Sequence, residues 1–285
     1  MLPRRPDAKP VETLSNLRRM MPFISPRRND SVFYMFQDIE VEAALEFLEK
    51  KNRERSQDRP VTLFHLLLRS MSQALRLRPG VNRFVKGGRL WQRDGEWLTF
   101  SAKREIFDGS PMITVKRRFH PDTETLDEMV DAVYDRLNPQ RAGEKTQADK
   151  EVGWLLRLPT PVVGLLIKLL GCLDYFGLVP RSLIDADPLY TSLFVANLGS
   201  IDYPAGHHHL WEYGTCSIFG VIGRIEPGAS GRRKIQMAWT YDERIEDGLY
   251  SYYTLEGIRE RVESPELLEL STETLADRPR EGAIR

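Results

Sequence analysis

Two runs concentrate the side chains best suited to proton transfer or ligand binding. Trp239-Thr240-Tyr241-Asp242-Glu243-Arg244-Ile245-Glu246-Asp247-Gly248 places carboxylates and an arginine after an apolar stretch, and His207-His208-His209-Leu210-Trp211-Glu212 holds three of the chain's five histidines. Adjacent histidines on a strand point to opposite faces, so the second run offers at most two ligands to one ion, with Glu212 as candidate third. Three readings of His208 and His209 stay open: hydrogen-bonded loop residues, a substrate-binding or base role, and metal ligation. No metal is expected. His65 sits on an apolar-patterned segment and reads as a satisfied core or interface histidine, while His120, beside Pro121, reads as a loop residue. Other nucleophile and phosphate motifs are missing: there is no Gly-x-Ser-x-Gly elbow, no Walker Gly-x-x-x-x-Gly-Lys and no Gly-x-Gly-x-x-Gly fingerprint.

The first run resembles the signature Tyr-Asp-His-Arg-x-x-Asp-Gly of the 2-oxo acid dehydrogenase acyltransferases (dihydrolipoyl acyltransferases) and, more distantly, that of chloramphenicol acetyltransferase. Tyr241, Asp242, Arg244, Asp247 and Gly248 match, and Glu243 stands in the histidine slot. The flanks agree in order. Leu249 to Leu268 resembles the closing helix and its Glu-x-Pro-x-x-Leu-like ending; Ser192 to Ser200, with Ala196-Asn197-Leu198-Gly199, resembles the strand ending Ile-Ser-Asn-Leu-Gly; Cys216 to Gly223 resembles the strand after it. Arg78-Pro79-Gly80-Val81-Asn82 resembles the helix end His-Pro-x-x-Asn. His207-His208-x-x-x-Glu212 only superficially repeats the signature, because Tyr213 stands where glycine belongs.

The resemblance implies an α/β (α+β) two-layer sandwich of a mixed sheet and helices, chloramphenicol acetyltransferase-like, assembled as a homotrimer with sites at subunit boundaries. It implies transfer of an acyl group from acyl-CoA or another thioester, with CoA as part of the substrate and no covalently bound cofactor. In the family the histidine takes the acceptor's proton. Glu243 in that slot is a weaker base by roughly 2 pKa units, or about 3 kcal/mol of driving force, so a slow base that needs burial is expected. The family's oxyanion-donating hydroxyl before Asn-Leu-Gly is Ala196 here, and losing one such donor costs on the order of 3–4 kcal/mol. Asn197 and Ser200 belong to the same region. Asp247 in the family pairs with an arginine from the N-terminal segment, for which Arg18 is the first candidate and Arg28 the second. The alternative to an altered acyltransferase is a catalytically inactive trimer that binds a ligand or partner.

The elements that must position these residues follow from periodicity. Ser31 to Ile39 reads as a strand, Val41 to Lys51 as a helix with a basic C-terminal end, and Thr62 to Leu77 as a helix stopped by Pro79-Gly80. Arg89 to Gln92 and Glu96 to Lys103 read as strands flanking a turn at Asp94-Gly95, and Thr123 to Leu137 as an amphipathic helix. Leu193 to Asn197, Ser217 to Ile222 and Ile235 to Tyr241 complete the strand set. The expected organisation is a catalytic domain over residues 14–270, with loose polar tails at 1–13 and 271–285.

With 41 basic and 41 acidic residues the chain has no net field for nucleic acid. Cys172 and Cys216 form no Cys-x-x-Cys pair, which suits a reduced cytoplasm. The start lacks a signal peptide's apolar stretch, and no lipoyl domain of its own is expected before the core. One segment departs from the family. Between about 150 and 182 the chain carries an apolar insertion, Trp154 to Val179, interrupted by Arg157, Lys168 and Asp174 and broken by Pro159 and Pro161. A span needs about 20 nearly charge-free residues, so it is expected to pack on protein, across a subunit boundary, as a lid over an acyl channel, or as a membrane-surface helix.

Overall fold

The computed structural model describes residues 5–105, 107–144 and 146–277. Residues 1–4 and 278–285, the outer parts of the two expected tails, lie outside the described residues. Six strands form the main sheet in the order β2 (Val32–Glu40), β9 (Arg233–Asp242), β8 (Ile218–Pro227), β7 (Leu193–Asn197), β5 (Glu96–Lys103), β6 (Met112–Phe119). Only β5–β7 and β7–β8 run parallel, so the sheet is mixed, as the α/β reading requires.

Alternation along the strands gives the sheet two different faces. Ile235, Met237, Trp239 and Tyr241 of β9 join Leu193, Val195 and Ile218 in the main core. Helices α3 (Leu63–Leu77) and α8 (Gly248–Glu263) cover that face, with α2 (Glu42–Asn52) and α4 (Leu126–Arg141) beside them. Phe194, Phe219, Val221 and Ala238 point the other way and form a smaller cluster with Leu210 and Cys216. Leu66, Leu67, Met71 and Leu75 of α3 are fully or almost fully buried, each contributing about 1.5–3 kcal/mol. His65 closes a capping box at the start of α3, its Nδ1 accepting from Thr62 N at 3.1 Å, and is a buried core residue.

Three expectations need correction. Arg89–Arg93 (β4) and β5 do not form a hairpin at Asp94-Gly95. β4 instead lies between β1 (Ala8–Pro10) and β3 (Arg83–Lys86) in a separate three-stranded sheet. The turn that does make a hairpin is Gly87-Gly88, both with positive φ, as a tight two-residue connection requires. The tails are also not loose where described. β1 is a strand, Arg5 and Asp7 before it are buried, and α9 (Thr272–Ala276) docks through Thr272, which donates to Asp122. Buried ion pairing holds a segment whose composition alone reads as polar coil.

The third correction concerns the insertion. It folds as α5 (Gln147–Leu155), α6 (Thr160–Tyr175) and α7 (Arg181–Ala186), and α6 is not packed on its own domain: Leu165 and Leu169 are 67% and 53% exposed. Only its root is fixed. Asp174 is buried between Arg5 Nη1 at 2.8 Å and Lys86 Nζ at 2.8 Å, and Leu170 and Leu173 pack against Val179, Ile184 and Tyr190. Among the described residues no helix is long and apolar enough to cross a membrane.

Candidate active site

β9 ends at Asp242, whose buried carboxylate opposes Val32 of β2. Arg244 clasps it with two parallel bonds, Nε to Oδ1 and Nη2 to Oδ2, both 2.8 Å, and donates through Nη1 to the Ser25 and Pro26 carbonyls at 2.9 and 3.0 Å. Arg28 stands 3.8 Å from the same carboxylate and donates Nη2 to Gly214 O at 3.1 Å. This fork fixes the turn that carries Glu243.

Glu243 is held by its backbone on both sides: its N–H donates to Ser31 O at 2.9 Å and its carbonyl accepts from Arg18 Nη1 at 2.8 Å. Its side chain is exposed on the single chain, so the desolvation expected of a base in an acyl channel is not supplied within one subunit. Arg18 lies on α1 (Asn16–Ile24), so that helix braces the loop.

Asp247 does not pair with Arg18 or Arg28. Its Oδ1 caps α8, accepting from Tyr250 N at 2.8 Å, and it is exposed. Arg18 reaches Glu246 at 3.8 Å instead, and Arg83 Nη1 meets the other Glu246 oxygen at 2.7 Å. The expected arginine–aspartate pair is thus displaced by one residue towards Glu246, because the N-cap role already occupies the Asp247 carboxylate. A cap of this kind is worth about 1 kcal/mol.

Ala196 lies on β7 at the level of Val221, Ala238 and Phe36 across the sheet, on the face opposite the main helices. Asn197 Oδ1 accepts from Ser200 N at 3.2 Å, and Ser200 Oγ donates to Asn197 O at 2.8 Å, so that hydroxyl is engaged locally. Gly199 is required here, since a Cβ would come 2.5 Å from Gly223 O. Glu243 lies five residues past Ala238 and two strands over from Ala196. That places it roughly 16 Å along the strand direction and about 10 Å across the sheet. One chain does not bring the two together.

The histidines fall on the Ala196 side. His208 stacks on Phe219 with centroids 4.2 Å apart, and Phe219 stacks on Phe194, two residues from Ala196. Its Nδ1 lies 2.7 Å from His209 O, which only a protonated Nδ1 can satisfy, leaving Nε2 as acceptor. Burial holds His208 below the usual imidazole range, and His207, wedged against Tyr34 and Phe36, likewise. His209 stacks on His208 and is exposed. Glu212 is not a ligand: its oxygens accept from Arg28 N and Asn29 N, each at 3.0 Å. No group of three metal-ligating side chains occurs among the described residues.

An apolar cavity of about 30 Å³ lies between the sheet and helices α3 and α8, lined by Phe33, Met71, Trp239, Tyr241 and Leu255 among others. It holds no more than one or two waters, so a single chain presents no acyl channel there. Arg28, offered by the sequence only as an alternative partner of Asp247, instead ties Asp242 to the 211–214 segment, and the residue that sequence reasoning missed is Arg244 as the partner of Asp242. The Asp242-x-Arg244 spacing was the available signal.

No family model and no curated protein matches the chain at the level of sequence. Solved structures do. A probable dihydrolipoamide acetyltransferase from Listeria monocytogenes superposes with a TM-score of 0.58 at 14% identity, over 90% of this chain and 95% of that one. The dihydrolipoamide acetyltransferase of Azotobacter vinelandii, in which the roles of a serine, a histidine and an asparagine in the catalytic mechanism were investigated, gives 0.58 at 12%, over 91% and 94%. The chain has the chloramphenicol acetyltransferase-like fold. A chloramphenicol acetyltransferase itself gives 0.55 at 13% identity, over 90% of this chain and 98% of that one. At these identities the likeness establishes the acyltransferase-like fold and the mixed-sheet architecture that the motif order implied.

Proposed function

We propose that the chain is an acyltransferase acting on an acyl thioester, acyl-CoA in the first instance, with Glu243 as the residue that accepts the proton of an acceptor thiol or hydroxyl. The observation that carries this reading is the double backbone clamp on Glu243, from Ser31 and from Arg18, at the slot that the resemblance gives to the catalytic base. Once deprotonated, the acceptor adds to the thioester carbonyl. The tetrahedral oxyanion then collapses, the C–S bond breaks, and the CoA thiolate leaves and takes up the proton. Ala196 contributes no hydroxyl to that oxyanion, and Ser200 Oγ is already engaged, so backbone donors or water must serve. The turnover expected is lower by roughly 10²–10³ than with the full donor set.

The separation of Glu243 from the Ala196 and His208 face favours a site completed by a second copy, and therefore a homotrimer of the kind the resemblance implies. Light scattering checks this, and a monomer at micromolar concentration would contradict it. A second reading rests on the same two replacements. With Ala196 lacking a hydroxyl and Glu243 exposed on a single chain, the fold also suits a protein that binds a thioester or a partner without turnover.

CoA release from acyl-CoA should be followed in the unaltered protein, Glu243→Gln and His208→Ala. Loss confined to Glu243→Gln supports the proposal, and loss confined to His208→Ala moves the base to the histidine whose Nε2 is free to accept. Tight CoA binding without any turnover supports the binding-protein reading.

A further inference from the structure

The α5–α6 arm poses a problem that the acyl-transfer reading leaves untouched. Along α6, Val162, Leu165, Leu166, Ile167 and Leu169 are all exposed, with Trp154 and Leu156 before them and Tyr175, Phe176 and Leu178 after them. At 100° per residue the five helical positions cover about 200° of the circumference, leaving a strip that holds Gly164, Lys168 and Gly171. A helix apolar this far around belongs in a core or in lipid rather than on a wet surface.

Two observations identify what covers it. Across residues 152–173 the only charged side chains are Arg157 and Lys168, both basic, in a chain whose totals balance at 41 and 41. The apolar patch also continues past the root of the arm. Gly87-Gly88 carries the backbone of Tyr175 over one glycine and the ring of Phe23 over the other, and Phe23 and Ile24 at the end of α1 are 65% and 62% exposed. The charges of α1 are likewise only basic, Arg18 and Arg19.

We propose that the arm docks this protein on an anionic lipid bilayer. α6 lies in the plane of the interface with Leu165, Leu166 and Leu169 in the acyl region, while Lys168 extends back to the phosphates from the opposite strip. Trp154 at one end and Tyr175 at the other sit at headgroup level, where such rings partition. The buried Asp174–Arg5–Lys86 cluster holds the arm at a fixed root, so the domain is presented to the surface in one orientation. Arg18 connects α1 to the Glu243 loop, which puts that loop near the bilayer. The inference concerns binding and stands whether or not the protein transfers acyl groups.

Flotation of the full chain with vesicles tests it, comparing phosphatidylcholine alone with a phosphatidylcholine–phosphatidylglycerol mixture. The protein should float with the mixed vesicles and less with the neutral ones, and added salt should weaken the binding. The doubly substituted Leu165→Glu, Leu169→Glu protein should lose binding by roughly tenfold or more, and Lys168→Glu should lose it on the mixed vesicles only. These positions are exposed, so the substitutions leave the fold intact, which circular dichroism checks. No flotation of the parent protein with either vesicle would overturn the proposal, as would undiminished flotation of the double variant. If the parent does not float and the double variant changes its oligomeric mass, the arm is a contact between copies instead.

Discussion

The Glu243 loop and the α6 arm are opposite kinds of surface on one chain. Around the loop every charge but the exposed Glu243 carboxylate has a partner within the subunit: Asp242 with Arg244 and Arg28, Glu246 with Arg18 and Arg83, and Asp247 with the start of α8. Along the arm, satisfaction stops at Asp174, and the leucines beyond it face outward. The contrast separates two demands. The geometry of the loop is fixed within one chain, whereas the arm leaves a contiguous apolar surface of the kind that marks an interaction site.

That contrast makes unequal stability predictions. The largest effect is expected for Asp242→Ala, which leaves Arg28 and Arg244 buried without their carboxylate; a loss of about 3–5 kcal/mol is expected, seen as a large fall in the urea midpoint. An unchanged midpoint would mean that the fork does not hold the loop.

A pH dependence of similar size comes from His65, which burial pushes down to about 4. A lowered histidine pKa keeps the folded form neutral while the unfolded chain protonates near 6.5. The folded state therefore has its full stability above about pH 6.5 and loses it progressively down to about pH 4, by on the order of 3 kcal/mol. Denaturation series across that window should show the slope, and His65→Gln should flatten it.

Removing the α8 cap with Asp247→Ala is expected to cost about 1 kcal/mol. Were this substitution as damaging as Asp242→Ala, the displacement of the arginine pair to Glu246 would be wrong. The smallest effect belongs to the arm: Leu165→Ser and Leu169→Ser should leave stability within about 0.5 kcal/mol, because both side chains are already in water. A large loss at either position would show that the arm is covered by protein in solution.

Much of this was legible in the sequence. The order of motifs gave the fold, and β2, β5, β7, β8 and β9 overlap the strands read from the sequence, although β7, β8 and β9 bury consecutive residues on both faces rather than alternating. Asp94-Gly95 misled because its turn chemistry is real, with Gly95 at positive φ, while pairing is decided by partners far away: β4 finds β1 and β3, and β5 finds β6 and β7. Nothing local marks Arg5 and Asp7 as buried: they pair with each other, but the other partners of that cluster, Asp174 and Arg93, lie far along the chain. The Arg18–Asp247 pairing carried over from the family failed for a local reason, the capping geometry at α8. The exposure of α6 was not readable at all, since an apolar helix has the same composition whether it is in a core, at an interface or in lipid.

In the proposed mechanism Glu243 occupies a working base position. The most direct test is the initial rate of thiol release from acyl-CoA, with a thiol or hydroxyl acceptor, in the parent protein, Glu243→Gln and Glu243→His, with folding checked in each. The account predicts a slow parental rate, a drop of roughly 10²-fold or more in Glu243→Gln, and activity at or above the parental rate in Glu243→His. Equal rates in all three, or a rate that falls only with His208→Ala, would contradict it.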